Sequence, residues 1–127
     1  MTPMTPQTRL NVLVVDDEPG MRETLVDILE TVGYNVSAAV DGEEALEAVK
    51  TNDVDIVVMD VQMPKRDGVS VLQQLRPPPP TIIMMTAYAI EERLRSAVDA
   101  NAFAILHKPF AVGRLLSILE SAAGSAA

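Results

Sequence analysis

The stretch LNVLVVDDEPG, residues 10–20, decides the fold. Its residues 12–15 are apolar without polar alternation, which is typical of a strand buried on both faces of a parallel sheet. The run stops at Asp16 and Asp17, and Pro19 then favours the first turn of a helix. A buried strand that ends in carboxylates and leads directly into a helix predicts the first βα unit of an α/β protein.

The βα unit recurs four more times along the chain. Apolar runs predict the later strands at residues 34–39, 56–59, 82–85 and 102–106. Apolar residues at helical spacing predict helices over residues 19–32, 41–49, 69–76, 87–100 and 112–123. This alternation predicts an α/β fold, a three-layer sandwich in which helices cover a five-stranded parallel sheet on both faces. We expect one domain at residues 10–121, between a flexible tail at 1–9 and a second tail at 122–127.

The composition excludes several classes of function. The chain has 127 residues with 18 acidic and 10 basic side chains, a formal charge of -8. This excess of acid disfavours direct binding to nucleic acid or to an anionic membrane, because both need clustered Lys and Arg. The sequence contains no Cys, which excludes disulfides and fits a cytoplasmic protein, and its one His, His107, excludes a multi-histidine metal site. No apolar run approaches the roughly 18 residues of a membrane helix.

Polar side chains stand where four of the predicted strands end. They are Asp16, Asp17, Asp60, Thr86 and Lys108. Because the carboxyl ends of parallel strands share one edge of the sheet, we expect these groups to converge there. Each residue alone is an ordinary turn or surface residue, but their recurrence at the same place in successive βα units favours a common site.

This set of groups indicates phosphoryl chemistry supported by a metal ion. Three carboxylates repel one another, and one Lys neutralises only part of their charge. Mg²⁺ is a hard cation that accepts carboxylate oxygens as ligands. Mg²⁺ beside Lys108 suits a phosphoryl group, and Thr86 can hydrogen-bond one of its oxygens. Asp60, alone at its strand end, suits a nucleophile that forms an acyl phosphate.

Four motifs together resemble those of a known signalling family. They are VVDDEP, VVMDVQMPKRDG, IIMMTAY and ILHKPF, and the resemblance extends from Leu10 to Leu119. The chain is similar to the receiver domain of response regulators in two-component signalling, in particular to the chemotaxis-regulator type. The resemblance implies a flavodoxin-like fold with strand order 2-1-3-4-5, an order known from such regulators.

The resemblance also implies the roles of individual acidic residues. Asp60 would accept the phosphoryl group from a sensor histidine kinase or a phosphotransfer protein. Asp17 and Asp60 would bind Mg²⁺ through their side chains, and Gln62 would bind it through its backbone carbonyl. Asp16 would act mainly through a metal-bound water.

A switch is implied by the same resemblance. Lys108 would pair with the phosphoryl group, Thr86 would swing toward it, and the Lys108–Pro109 peptide would be cis. Members of the family usually carry Tyr or Phe at the switch position held here by Ile105, which has no ring to swing. We therefore expect the coupling between Thr86 and the output face either to be altered or to be carried by backbone shifts.

The expected partners follow from the family as well. The output face, formed by the fourth helix, the fifth strand and the fifth helix, would act on a downstream protein or a fused output domain, and it would also form a homodimer. We expect no direct contact of this domain with nucleic acid and no membrane association. We expect no enzyme activity beyond Mg²⁺-dependent self-phosphorylation from small donors and autodephosphorylation.

Two alternatives remain open at this point. The first is a small Mg²⁺-dependent phosphohydrolase of the haloacid dehalogenase type, which needs a second Asp two residues after the nucleophile. That position holds Gln62, which cannot transfer a proton. The second alternative is a pseudo-receiver that is no longer phosphorylated, and Ile105 is the one feature in its favour.

Overall fold

Strands and helices alternate along the chain in the computed structural model, which describes residues 9–62, 68–87 and 92–126. In chain order the elements are β1 (Asn11–Val15), α1 (Pro19–Val32), β2 (Asn35–Ala39), α2 (Gly42–Thr51), β3 (Ile56–Asp60), α3 (Gly68–Gln74), β4 (Thr81–Thr86), α4 (Glu92–Asn101), β5 (Ala104–His107) and α5 (Val112–Ala126). All five predicted βα units are present, and most of their ends lie within two residues of the predicted ones.

The five strands form one parallel sheet in the order β2-β1-β3-β4-β5. This is the order that the sequence resemblance implies, so the prediction is confirmed. Val15 lies opposite Met59, Asp60 opposite Met85, and Thr86 opposite His107. Because all strands run the same way, the residues that end β1, β3, β4 and β5 lie along one edge, which we call the carboxyl edge. The opposite edge, where the strands begin, is the amino edge.

The core has one part on each face of the sheet, because successive side chains of a strand point to opposite faces. On one face Leu13 and Met84 pack with buried residues of α2, α3 and α4. On the other face Val14 and Met85 pack with buried residues of α1 and α5. The predicted three-layer sandwich is therefore confirmed.

Some predicted boundaries differ from the structure. α5 continues to Ala126, beyond the predicted helix end at residue 123, so residues 122–126 of the predicted second tail are helical, and Ala122 is fully buried in the core. β5 begins at Ala104 and not at Ala102, because the Ala102 N–H donates to the Val98 carbonyl at 2.8 Å and closes the end of α4. Ala87 lies outside α4, and the predicted helical residues 88–91 fall outside the described residues, as do residues 1–8 of the predicted first tail.

Capping groups determine where α1 begins and ends and where α2 begins. Glu18 caps α1 by accepting the Met21 N–H, and Gly33 ends α1 with φ 121°, a conformation that favours glycine. Asp41 caps α2 by accepting the Glu44 N–H at 2.8 Å. No helix within the described ranges combines the length and the apolar character needed to cross a membrane.

Candidate functional site

Three carboxylates meet at the carboxyl edge, where β1 and β3 lie side by side. Asp16, Asp17 and Asp60 each contribute one oxygen to a group whose members all lie within 4.8 Å of one another. Asp16 is fully buried and Asp60 is 7% exposed, whereas Asp17 faces solvent. The structure thus brings together the three acidic residues that the sequence places at strand ends.

Asp16 is held at several points. Its backbone N–H donates to the Ala39 carbonyl at 3.2 Å, which ties the end of β1 to β2. Its Oδ1 accepts the Glu18 N–H at 3.0 Å, so the carboxylate also shapes the turn into α1. Its Oδ2 lies 3.2 Å from Lys108 Nζ. A fully buried charge needs such partners, because burial without them is costly.

Asp60 ends β3 and is held from two sides. Its Oδ1 accepts the Gln62 N–H at 2.8 Å, and its Oδ2 lies 2.6 Å from Lys108 Nζ. The first contact also holds the Gln62 backbone beside the carboxylate, while the Gln62 side chain is exposed. Asp60 therefore presents a nearly buried carboxylate in a fixed orientation next to one ammonium group.

Lys108 reaches the two buried carboxylates from the end of β5. Its backbone N–H donates to the Thr86 carbonyl at 2.7 Å, and its peptide bond to Pro109 is cis. Burial alone lowers the pKa of Lys108, but the hydrogen bond to Asp60 and the charges of Asp60 and Asp16 outweigh burial and raise that pKa above its ordinary value. Lys108 is therefore a cation at neutral pH.

The donor set fits a magnesium ion. Asp16, Asp17 and Asp60 carry three negative charges, and the Lys108 ammonium balances one of them. Carboxylate oxygens are the ligands that Mg²⁺ prefers, and the ion keeps several waters, which the exposed position of Asp17 allows. A divalent cation at this cluster would relieve the remaining repulsion between the carboxylates.

Thr86 and Ile105 lie on the same face of the sheet. Thr86 ends β4 and is fully buried. Ile105 lies opposite Met84 on β5 and is half-buried against the core part that contains α2, α3 and α4. Because Thr86 lies opposite His107, Ile105 is its diagonal neighbour across the strand pair. The two predicted switch residues therefore lie on neighbouring strands and on one face of the sheet.

Arg22 is a residue of the site that the sequence reasoning missed. Its guanidinium Nη1 donates to the Asp16 carbonyl at 2.8 Å. Arg22 is the fourth residue of α1. Side chains of a helix lean toward its N-terminus, and the N-terminus of α1 lies at the carboxyl edge. The sequence does contain a signal for Arg22: a basic residue stands one turn into the helix that follows a strand-end Asp.

Gly68 is the second residue that was missed as part of the site. A Cβ at this position would lie 2.5 Å from the Asp60 carbonyl oxygen and 2.8 Å from Val61 Cα. The Gly68 N–H also donates to the Val61 carbonyl at 2.7 Å. The start of α3 can therefore pack against the backbone of Asp60 only because residue 68 has no side chain.

Comparison with known proteins identifies the family. A family model described as the response regulator receiver domain matches residues 12–120. The response regulator MprA of Mycobacterium sp. (strain KMS) is 40% identical over 115 residues, which are 88% of this chain and 50% of that protein. The chain thus spans about half the length of the curated relatives that it matches.

Solved structures agree with the sequence match. A CheY-like response regulator receiver domain protein from Methanospirillum hungatei JF-1 has a TM-score of 0.86 at 27% identity, covering 93% of this chain and 96% of that chain. The response regulator TrrA from Thermotoga maritima, solved in complex with Mg(2+)-BeF, has a TM-score of 0.78 at 33% identity, covering 89% of this chain and 98% of that chain. None of these proteins favours the phosphohydrolase alternative.

Proposed function

The chain belongs to the response regulator receiver domain family, and from this premise we propose that Asp60 is its phosphoryl acceptor. Receiver domains are phosphoacceptor signalling domains and not enzymes, and they work with histidine kinases or other phosphodonors and with output domains. The observation that carries the proposal is the convergence of the carboxylates of Asp16, Asp17 and Asp60, with Lys108 Nζ 2.6 Å from Asp60 Oδ2.

The proposed reaction is a transfer from nitrogen to oxygen. A carboxylate oxygen of Asp60 forms a bond to the phosphorus of a phosphohistidine on a sensor histidine kinase or a phosphotransfer protein. The P–N bond breaks, and its electron pair stays with the imidazole nitrogen of the donor. The product is an acyl phosphate on Asp60.

Residues around Asp60 prepare it for this transfer. The Gln62 N–H fixes Oδ1 of Asp60, so Oδ2 is the oxygen that faces Lys108. During the transfer, the Lys108 ammonium would exchange its contact with the Asp60 carboxylate for a contact with a phosphoryl oxygen, where it would stabilise the developing negative charge. The proposed Mg²⁺ ligands are the side chains of Asp17 and Asp60 and the backbone carbonyl of Gln62, with Asp16 acting through a water. When bound, Mg²⁺ supplies positive charge for the phosphoryl oxygens.

The proposed switch runs from Thr86 to the output face formed by α4, β5 and α5. Thr86 would move toward the phosphoryl group, and its carbonyl already accepts the Lys108 N–H at 2.7 Å. Because Ile105 cannot rotate a ring between two positions, the movement would pass through the backbone of β4 and β5 and through the packing of Ile105. The output face would then bind a downstream protein, a fused output domain or a second copy of the chain.

The proposal includes a cytoplasmic location. It is supported by the sequence, which contains no Cys and so needs no oxidising compartment. It is also supported by the proposed phosphoryl donor, because a phosphohistidine kinase draws its phosphoryl group from cytoplasmic ATP. Fractionation of cells that produce the full-length protein tests this part.

Phosphorylation from a small donor tests the assignment of Asp60. The protein is incubated with acetyl phosphate and Mg²⁺, and intact-mass spectrometry follows the gain of one phosphoryl group. We expect Asp60→Asn to abolish the gain, because an amide is not a nucleophile toward phosphorus at neutral pH. Asp53→Asn is the matched control, since Asp53 is exposed at the amino edge and should leave the gain unchanged.

Three outcomes decide between the candidate functions. A phosphoryl gain that persists in Asp60→Asn would show that another residue is the acceptor. No gain and no Mg²⁺-dependent change in the wild-type protein would support the pseudo-receiver alternative. Sustained hydrolysis of a small phosphate ester that depends on Asp60 would revive the phosphohydrolase alternative.

A further inference from the structure

We propose that Arg22 is a positioning residue that holds the β1–α1 loop so that the Asp17 carboxylate faces the cation site. This inference rests on the proposed function, because it assigns Arg22 to the same Mg²⁺-dependent site. It concerns a contact to the backbone, and not to any of the three carboxylates.

The contact itself links two segments of different structure. Arg22 Nη1 in the first turns of α1 donates to the Asp16 carbonyl at the end of β1, at 2.8 Å and in a partly buried position. The two residues are six positions apart, so the bond is not part of the helix ladder, which joins residues four apart. A charged donor makes such a bond roughly twice as strong as a neutral one.

The Asp16 carbonyl determines the backbone direction of Asp17. The peptide group is planar, so fixing the Asp16 C=O also fixes the N–H and the Cα position of Asp17. The other groups of Asp16 are held as well, since its N–H donates to Ala39 and its carboxylate accepts from Glu18 and Lys108. Arg22 supplies the contact on the side of the peptide that leads to Asp17.

Asp17 depends on its backbone more than the other two acids do. Asp60 and Asp16 have side chains fixed by hydrogen bonds and by Lys108. Asp17 is exposed, and within the described part of the chain its side chain makes no hydrogen bond or ion pair of its own. The orientation of its carboxylate therefore follows from the peptide that Arg22 holds.

Arg22 and Lys108 also differ in the atoms that their charged groups bind. Lys108 binds carboxylate oxygens directly and so competes with a metal ion for them. Arg22 brings positive charge near the cluster while its guanidinium binds a carbonyl, which leaves the carboxylate oxygens available as ligands. Partners of this kind, which hold a metal ligand without touching the metal, commonly set the affinity of a site.

A Mg²⁺ titration of three variants tests the proposal. Amide NMR signals of residues 16–18 report Mg²⁺ binding in Arg22→Met, Arg22→Lys and Arg76→Met. We expect Arg22→Met to weaken Mg²⁺ binding about tenfold, a typical loss for removal of a group that holds a ligand. Arg22→Lys should recover part of the affinity, because it keeps the charge and a donor. Arg76→Met removes an exposed charge beyond the end of α3 and should bind like the wild type, because salt screens the field of an exposed charge.

A second readout needs no metal. In EDTA, the Asp17 and Glu18 amide signals of Arg22→Met should shift and broaden relative to the wild type, while signals from β4 and β5 stay unchanged. A merely stabilising role of Arg22 would lower the melting temperature without this local change. If Arg22→Met does not fold, Arg22→Gln takes its place in both measurements.

The outcomes separate this inference from the proposed function. Equal Mg²⁺ affinity in Arg22→Met and wild type would overturn the role of Arg22, and so would an equal loss in Arg76→Met. A wild-type protein that shows no Mg²⁺ response would instead overturn the proposed function. Recovery by Arg22→Lys together with the local shift at Asp17 would support the positioning role.

Discussion

The two edges of the sheet use aspartate in opposite ways. At the carboxyl edge Asp16 and Asp60 share one cation, Lys108, at 3.2 and 2.6 Å, and Asp17 joins them with a third carboxylate. At the amino edge Asp55 stands just before β3, and its Oδ2 accepts the backbone N–H of Asn11 at 2.8 Å. One edge thus collects like charges, whereas the other pairs its carboxylate with a neutral backbone donor.

The difference separates an acid that stabilises the sheet, Asp55, from the acids of the carboxyl edge, which the sheet does not require. Asp55 joins three strands, because its N–H donates to the Asn11 carbonyl and its carbonyl accepts the Thr81 N–H, both at 2.9 Å. Across residues 9–62, 68–87 and 92–126, the acids of the carboxyl edge are the only group close enough to hold a metal ion. Like charges gathered at one point oppose folding unless a cation balances them, whereas the sheet itself explains the position of Asp55.

Gly68→Ala is expected to have the largest effect on stability. The new methyl group would meet two backbone atoms, the Asp60 carbonyl oxygen at 2.5 Å and Val61 Cα at 2.8 Å, and neither can rotate away. The start of α3 must shift, at a cost of about 3 kcal/mol, the upper end of the range for overpacked positions. Urea unfolding measures this loss, and phosphoryl uptake from acetyl phosphate should fall with it, because the Asp60 peptide is displaced.

Gly113→Ala is the control for this substitution. A Cβ at Gly113 in α5 has no atom within 4 Å, so the change should leave stability equal or higher, as alanine favours helices over glycine. A Gly68→Ala protein as stable as the wild type would show that the carboxyl edge is less tightly packed than its contacts indicate.

Asp55→Ala is expected to have the next largest effect, and on stability alone. Loss of the carboxylate leaves the Asn11 N–H without its side-chain partner, which should cost about 1–2 kcal/mol in urea unfolding. Asp55→Asn keeps an acceptor oxygen and should lose less. Phosphoryl uptake should be unchanged in both variants, in contrast to Asp60→Asn. Loss of uptake in a folded Asp55→Asn protein would remove the distinction between the two edges.

The strand-end residues could be predicted because a parallel sheet imposes their position. Uninterrupted apolar runs mark buried strands, and the residue that follows each run must lie at the carboxyl edge. This rule alone places Asp16, Asp60, Thr86 and Lys108 at that edge. The sequence does not show which oxygen of which carboxylate faces Lys108, because that depends on side-chain rotamers and on the Gln62 N–H.

Other features could not be predicted because they depend on the path of the chain between elements. The Arg22 contact needs the bend between β1 and α1, and the Gly68 contact needs the return of the chain from Asp60 to α3. The sequence predicts the last helix only as far as residue 123, because the small residues that follow carry no apolar periodicity. Burial of Ala122 against the sheet supplies the stabilisation that its own sequence does not indicate.

The smallest expected effect is a loss of folding stability at alkaline pH, to which Lys108 at the carboxyl edge and Tyr34 near the amino edge both contribute. At the carboxyl edge, burial alone lowers the pKa of Lys108, but the hydrogen bond to Asp60 and the two carboxylate charges raise it above 10.5 overall. Near the amino edge, burial and then the charge of Glu120 raise the pKa of Tyr34 above 10.0. In both cases the folded protein holds the proton more firmly than the unfolded chain. The stabilisation is therefore complete below the unfolded pKa and is lost as the pH rises through the folded pKa.

Urea unfolding at about pH 9 and about pH 11 separates the two contributions. The wild-type protein should lose stability between these values, and Lys108→Met and Tyr34→Phe should each lose less, because each lacks one of the two titrating groups. We expect the larger reduction for Lys108→Met, since Lys108 contacts two carboxylates while only the charge of Glu120 acts on Tyr34. An identical pH dependence in Lys108→Met and wild type would mean that Lys108 does not hold its proton more tightly in the folded state.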